Sequence, residues 1–427
     1  MGAVGCGDDD GNDDQNNNRP DGSVDAAIDS GNTLLDANLD ATSADAAVPL
    51  TPQQNVSSKA ADLAVTINLL LGEHLIIAAK TTGAALRGEP AKPEYDAYAA
   101  LLNQNGLDLG ELVGQAFGDA AKTTFNGIWS AHNGFFVEYT VGVATNDEAK
   151  KTQAVNDLTT KYVPQFSGLV STATGLPVTA ITPLVTEHVT GTKAIVDAQG
   201  AKNYTAEYAA TRAAFAHMAM LGNPLAQGVA KQKPADFPGD AASKAALFRV
   251  ALNQALQEHL YLASFATGAA INGRTDEFTA AGAALNTNGT DIGKALNPLY
   301  GAAAETQFNS IWSAHNGFFV EYTQAAAAGN AEGKTAAVGK LTGMYVPQFS
   351  ALLEVATGTP AAQWSPEVGM HVTHTAEVVD AQVALKASNT PANATTVVSK
   401  DRIAGQHMQK LGDALSKGIV GKLPGSF

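Results

Sequence analysis

Residues 128–140, IWSAHNGFFVEYT, recur letter for letter 183 residues later as residues 311–323, so the chain carries two copies of one unit. A period this long is not that of a solenoid, and each copy is large enough to bury a core of its own. The correspondence extends outward from the block. Ser58-Lys59-Ala60-Ala61 returns as Ser243-Lys244-Ala245-Ala246, Glu73-His74-Leu75 as Glu258-His259-Leu260, and Tyr162-Val163-Pro164-Gln165 as Tyr345-Val346-Pro347-Gln348. Arg212 with His217-Met218 matches Arg402 with His407-Met408. Eight of the nine histidines form four matched pairs: His74 with His259, His132 with His315, His188 with His371, and His217 with His407. His374 stands alone, at the position of Gly191.

Within each copy, Ala-rich segments with apolar residues three and four apart dominate, and no sustained alternation marks a strand. The expected class is all-α: two tandem homologous helical bundles of four to five long helices each, after a disordered acidic N-terminal tether. In the first copy the pattern predicts a helix over 58–86 with Ser58 as its N-cap. A region of short helices over 94–118, broken by a turn at Asn103-Gln104-Asn105-Gly106, follows. Further helices are predicted over 119–144, over 147–172 with a kink at Pro164, and over 183–199 and 205–230. The expected divisions are a tether over 1–54, bundles over 55–237 and 243–427, and a Pro/Gly linker over 238–242. The most apolar run, 63–79, is interrupted by Asn68, Glu73 and His74 and reads as a core helix and not as a membrane span.

Charge is unevenly placed. Of the net charge of −15, residues 1–50 supply −10 through eleven Asp and one Arg, leaving −5 for the rest. A segment reading CGDDDGNDDQNNN has almost nothing to bury and repels itself. No basic stripe follows a phosphate backbone, which argues against nucleic acid as a partner. With Cys6 the only cysteine, disulfides and Cys-based zinc sites are excluded. There is no His-Glu-x-x-His, no Gly-x-Ser-x-Gly and no phosphate-binding glycine loop.

The histidines carry the chemistry. At about 100° per residue, the residues three, four and seven away from His132 are Phe125, Ile128, Trp129, Phe135, Phe136 and Tyr139, all apolar or aromatic. His74, His188 and His217 sit on similar stripes, so four helices of each copy are expected to send one imidazole inward to one level. That is what a metal site in a bundle core requires, and imidazole suits iron, copper or zinc. The expected ligands are His74, His132, His188 and His217, with His259, His315, His371 and His407 as the twin set. Glu73, Glu138, Glu258 and Glu321 are the carboxylates expected to flank them. His374 either adds a ligand or faces solvent. A metal on such ligands is expected to leave as pH falls through the histidine range, near 6.5. Two alternatives stay open. One is haem b between paired histidines, in a flat cavity that the small residues Ala131 and Gly134 would permit. The other is a polar core in which Tyr139, Tyr162, Gln165 and Asp197 satisfy the rings. Arg212 and Arg402 face away from the core stripe and are expected in ion pairs.

Two resemblances extend this reading. Ala3-Val4-Gly5-Cys6, followed by a polar tether, resembles the lipobox of bacterial lipoproteins. It implies a lipidated Cys6, an export signal upstream of Met1, and a chain held to the membrane of a bacterial cell envelope, periplasmic or surface-exposed. The His-x-Gly-Phe-Phe-Val-x-Tyr-Thr block is similar to sequences of secreted bacterial proteins. The architecture resembles ferritin-like and hemerythrin-like bundles in fold alone. Ferritin-like proteins use Glu-x-x-His pairs, and hemerythrin-like proteins place His and carboxylate four or five apart, whereas His132 and Glu138 are six apart. The resulting expectation is an envelope-anchored metal-binding bundle in metal handling or electron transfer. Rival expectations are an oxidoreductase and a metal-free adhesion or scaffold module.

Overall fold

A computed structural model describes residues 49–427, and among the described residues every regular element is helical. Cys6 and the acidic run lie outside the described residues. The first half holds α1 (Pro52–Val56), α2 (Lys59–Leu86), α3 (Lys92–Phe117), α4 (Asp119–Thr145), α5 (Glu148–Asp157), α6 (Val163–Thr174), α7 (Val178–Gly200) and α8 (Tyr204–Gln232). The second repeats it as α9 (Lys244–Ile271), α10 (Thr275–Tyr300), α11 (Ala302–Ala327), α12 (Ala331–Lys340), α13 (Val346–Thr357), α14 (Ala361–Ala387) and α15 (Pro391–Lys422). Local chemistry sets these ends. The Ser58 and Ser243 hydroxyls accept from the amides of Ala61 (3.1 Å) and Ala246 (3.3 Å), capping α2 and α9. Gly175 closes α6 at a φ of 74°, which only glycine adopts without strain.

Three expectations change. The tetrad Asn103–Gly106 does not break a helix; it lies inside the continuous α3. Tertiary contacts override its turn preference: the Asn105 amide donates to the Leu70 carbonyl (3.0 Å) and to Glu73 Oε2 (2.9 Å). Gly106 lets α3 close on α4, since a Cβ there would stand 2.7 Å from Trp129 Cδ1. Second, the kink at Pro164 takes the form of a π-helical turn, Leu158–Tyr162, with its twin at Leu341–Tyr345. Pro164 has no N–H to return to the preceding turn, and the wider turn absorbs the loss. Third, α7 begins at Val178, with Pro183 inside it, and residues 52–54 of the expected tether form the start of α1. Thr51 builds a capping box with Gln54, and Val56 packs with Ala245 and Val420 of the second half.

Each half has its own apolar core, and α2 and α9 join them. α2 is long and apolar enough to span a membrane, yet 83% of its most apolar stretch is buried within the fold. The join is ionic as well as apolar. Arg402 of α15 pairs with Glu73 (3.2 Å) and Asp108 on the first half, and Arg212 of α8 pairs with Glu258 (3.0 Å) and Asp291 (2.9 Å) on the second. Both arginines thus form the ion pairs expected of them. Off this symmetric pattern, buried Lys80 donates to Asp401 (3.0 Å) and Ser264 (2.8 Å), while Tyr98 donates to Asp401 (2.5 Å).

Candidate metal centre

In the first half, α2, α4 and α7 bring His74, His132 and His188 together, and one ring nitrogen from each lies within 4.8 Å of the other two. His259, His315 and His371 repeat the arrangement on α9, α11 and α14. Ring centroids are 5.3 Å apart for His74 and His132, 6.0 Å for His74 and His188, and 6.2 Å for His132 and His188. A point equidistant from three atoms 4.8 Å apart lies about 2.8 Å from each, against about 2.0–2.1 Å for a zinc–imidazole bond. Closing each ring by less than about 1 Å therefore makes a three-coordinate site, within the reach of small χ changes.

The rings are prepared as ligands. His132 Nδ1 lies 2.6 Å from the Trp129 carbonyl, which can only accept, so Nδ1 carries the proton and Nε2 keeps its lone pair. That Nε2 is buried without a hydrogen-bond partner, as are Nδ1 of His74 and Nδ1 of His188. His315 and His259 repeat both features, with the Trp312 carbonyl in place of Trp129. A carbonyl on the far nitrogen is the usual device that fixes the orientation of a metal-binding imidazole. Burial pushes the His132 imidazolium down to about 4, and burial with the neighbouring His132 and His217 pushes His188 down to about 3. His74 is driven well below the ordinary value by burial first, then by His132 and His188. His259, His315 and His371 shift the same way. All six are therefore neutral and lone-pair-bearing at neutral pH.

Aromatic rings form the surround. Trp129 packs 4.6 Å from His74 and 4.7 Å from His132, and Tyr162, delivered by the π-helical turn, stacks on His132 at 4.5 Å and 16°. A π-helical turn inside an otherwise α-helical segment is a common device at functional sites.

His217 and His407 stand apart from the triads. His217 Nε2 donates to the Leu184 carbonyl (2.8 Å), and His407 Nε2 to that of Glu367 (2.9 Å). Leu184 is one helical turn before His188, so the antiparallel pass of α8 sets His217 about one turn off the level of the triad. His374 packs its ring against His407 at 5.3 Å and reaches Glu377 (3.3 Å), outside the triad.

The carboxylates expected at the sites do not flank them. Glu138 and Glu321 point outward and pair with Lys150 (2.7 Å) and Lys340 (2.6 Å). Glu73 and Glu258, one residue from a ligand and so about 100° round the helix, face the opposite half. Glu73 accepts from Asn105 of its own half and from Arg402 and Tyr261 (3.3 Å) of the other, and Glu258 from Asn288 (2.7 Å) of its own half and Arg212 of the other. The donor set that remains is three neutral imidazoles.

The groups expected to satisfy the histidines in a polar core are committed elsewhere. Tyr139 donates to Asp197 (2.6 Å), Gln165 is exposed, and Tyr162 offers His132 its ring face. Ala131 and Gly134, expected to open a flat slot for haem, lie on the exposed outer face of α4. Beside the rings, Tyr162 stacks on His132 and Trp129 packs at a tilt against His74. Sequence reasoning placed Trp129 only among the apolar neighbours of His132 and missed the role of Asn105-Gly106 beside it. The recurrence of that pair as Asn288-Gly289 was the available signal. Comparison with known proteins finds no match: no family model fits the chain, and no curated protein or solved structure is significantly similar to it.

Proposed function

We propose that each half holds one transition-metal ion on its histidine triad, and that the chain serves metal handling or electron transfer at a bacterial cell envelope. The observation that carries the metal reading is the set of three buried ring nitrogens per half with no hydrogen-bond partner, or none closer than 3.5 Å. Leaving such atoms unpaired costs about 1–3 kcal/mol each, and a metal ion converts that cost into bonds. Three neutral donors in an aromatic surround supply no compensating negative charge. This favours copper, which can be held as a monocation, over zinc or iron as bare dications, because burying uncompensated charge is expensive. Trp129 and Tyr162, packed 4.5–4.7 Å from the rings of His74 and His132, occupy the space a flat macrocycle would need, which counts against haem b.

The envelope assignment rests on Ala3-Val4-Gly5-Cys6 and the acidic run behind it. It is tested by whether a Cys6→Ser protein leaves the membrane fraction when expressed from the full gene.

Elemental analysis of protein purified without added metal, with a visible and EPR spectrum before and after oxidation, tests the metal reading. The expected content is two ions per chain, one in His132→Ala and none in His132→Ala/His315→Ala, with helix content retained in both variants. Equal metal content in the double variant, or no retention of copper or zinc by the parent protein on dialysis, overturns it.

A further inference from the structure

The second half contains a cavity of about 240 Å³ that reaches its triad. Gly273, Thr275 and Gln324 form an exposed rim, and buried His259 and His371 line its inner end. Between them the wall is mostly hydrocarbon, led by Ala266, Ala270, Phe278, Leu285 and Phe319, with the Asn316 amide as one further polar group. No Asp, Glu, Lys or Arg lines it. The three hydroxyls deeper than the rim already donate within the protein: Thr267 to Gln382 (2.8 Å), Thr323 to the Phe319 carbonyl (2.7 Å) and Thr375 to the His371 carbonyl (2.9 Å). An entering molecule therefore meets apolar surface along the wall and the His259 and His371 rings at the end. His259 Nδ1 is buried without a hydrogen-bond partner.

Three protein ligands leave a coordination position open on a four-coordinate metal, and in zinc enzymes that position takes water or substrate. Here a cavity leads to two of the three ligands. We propose that this cavity binds a small, uncharged, mostly hydrocarbon molecule carrying one nitrogen or oxygen donor, whose donor atom completes the shell of the metal held by His259, His315 and His371. The proposal rests on the metal reading and adds to it the class of ligand. A cation would shed its water with no counter-charge in the wall and then meet the metal's own charge, which excludes cationic ligands, and an anion would have to cross the same uncharged wall before it reached the metal. A cavity of about 150 Å³ holds benzene, so 240 Å³ accommodates roughly ten non-hydrogen atoms.

The test uses the full chain with His132→Ala, so that only the second triad is loaded, and Co2+ as the metal, whose visible bands report coordination number. Cobalt content is measured first, by dialysis. The loaded protein is then titrated with 4-phenylimidazole and, separately, with imidazole. The expected result is a saturable band change with one equivalent of 4-phenylimidazole, at least tenfold tighter than with imidazole, and weakened at least tenfold by Ala266→Phe. Should Ala266→Phe fail to fold or to hold cobalt, Ala270→Leu fills the same wall nearer the rim. Retained cobalt with no band change, or equal affinity for the two probes, overturns the cavity assignment and leaves the metal reading standing. If copper is retained and cobalt is not, the same titration is read on the Cu2+ EPR spectrum, with the same expected and overturning results; failure to retain cobalt, copper or zinc overturns both.

Discussion

Replacing His188 and His371 by leucine should stabilise the metal-free protein and destabilise the metal-loaded one. Both rings are 4% exposed. His188 Nδ1 has no partner, and the only contact of His371 Nδ1 is Thr375 Oγ1 at 3.5 Å, at the limit of a hydrogen bond. An orphaned buried polar atom costs about 1–3 kcal/mol, whereas leucine has comparable bulk and meets Phe136 or Phe319 and the apolar stripe of its own helix. Imperfect repacking returns part of that gain, so the net expected is about 1–2 kcal/mol per half. For units of this size, 1 kcal/mol moves the melting temperature by roughly 2–4 °C. With metal the order should invert. Free metal at 100 times its Kd stabilises the parent by about 2.7 kcal/mol per site, and a variant with two of three ligands gains far less. Calorimetric melting of both proteins, in chelator and in excess metal, measures all four states. If the leucine variant melts below the parent in chelator, the imidazoles are structural and the argument from orphaned nitrogens is wrong.

Acid should act on the metal-free fold through the same rings. In the unfolded chain histidine titrates near 6.5, whereas His132 and His315 are held near 4 and His188 and His371 near 3. The unfolded state therefore binds more protons below 6.5. Stability is fully present above that pH and falls by more than about 1 kcal/mol per pH unit per ring, down to the folded values. Urea midpoints measured from pH 7.5 to 4 should show this slope, and the leucine variant a shallower one. For the same reason metal should be retained well below pH 6.5, and not released across the ordinary histidine range, until the fold itself fails. Gly106→Ala should lower both melting temperature and metal affinity in the first half alone, because its Cβ would meet Trp129 Cδ1 at 2.7 Å. The expected cost is about 1–3 kcal/mol. A variant with unchanged metal affinity would separate the tryptophan from the site. Arg402→Ala leaves Glu73 buried with only Asn105 and Tyr261, and should cost about 3 kcal/mol by urea titration while helix content persists.

The helical class, the duplication and the inward stripe of histidines were legible because each depends on spacing along one helix. The level at which rings from different helices meet depends on where each helix starts. Reading α7 from Pro183 and not from Val178 misplaced His188 along it and drew His217 into the site. The carboxylates failed for a related reason. An angle of 100–120° from a ligand is compatible with a flanking role until a partner competes for the group. For Glu73 that partner is Arg402, 329 residues away in sequence and invisible to any local pattern. Asn105-Gly106 misled because its turn chemistry is local, while the Glu73 carboxylate and the Trp129 ring that hold it in a helix are not.

The join between the halves contains one symmetric and one asymmetric element, and their difference says what the duplication specifies. The quartet of Arg402, Glu73, Asp108 and Asn105 is reproduced as Arg212, Glu258, Asp291 and Asn288, so it would form equally well between two identical halves. The buried cluster of Lys80, Tyr98, Ser264 and Asp401 would not. By the register of the repeat, Phe265 stands where Lys80 does, and Thr211 where Asp401 does. The counterpart positions carry no charge, and Tyr208 packs edge-on to Phe265 at 5.4 Å. Two first halves joined in this way would each bury Lys80 against Thr211 with no counter-charge. Two second halves would bury Asp401 against Phe265. Either mispairing strands buried charges at a cost of several kcal/mol each, more than the symmetric ion pairs can offset. Because α2 and α9 carry both this junction and the first histidine of each triad, the correct pairing of the halves also fixes the two helices on which the metal sites depend.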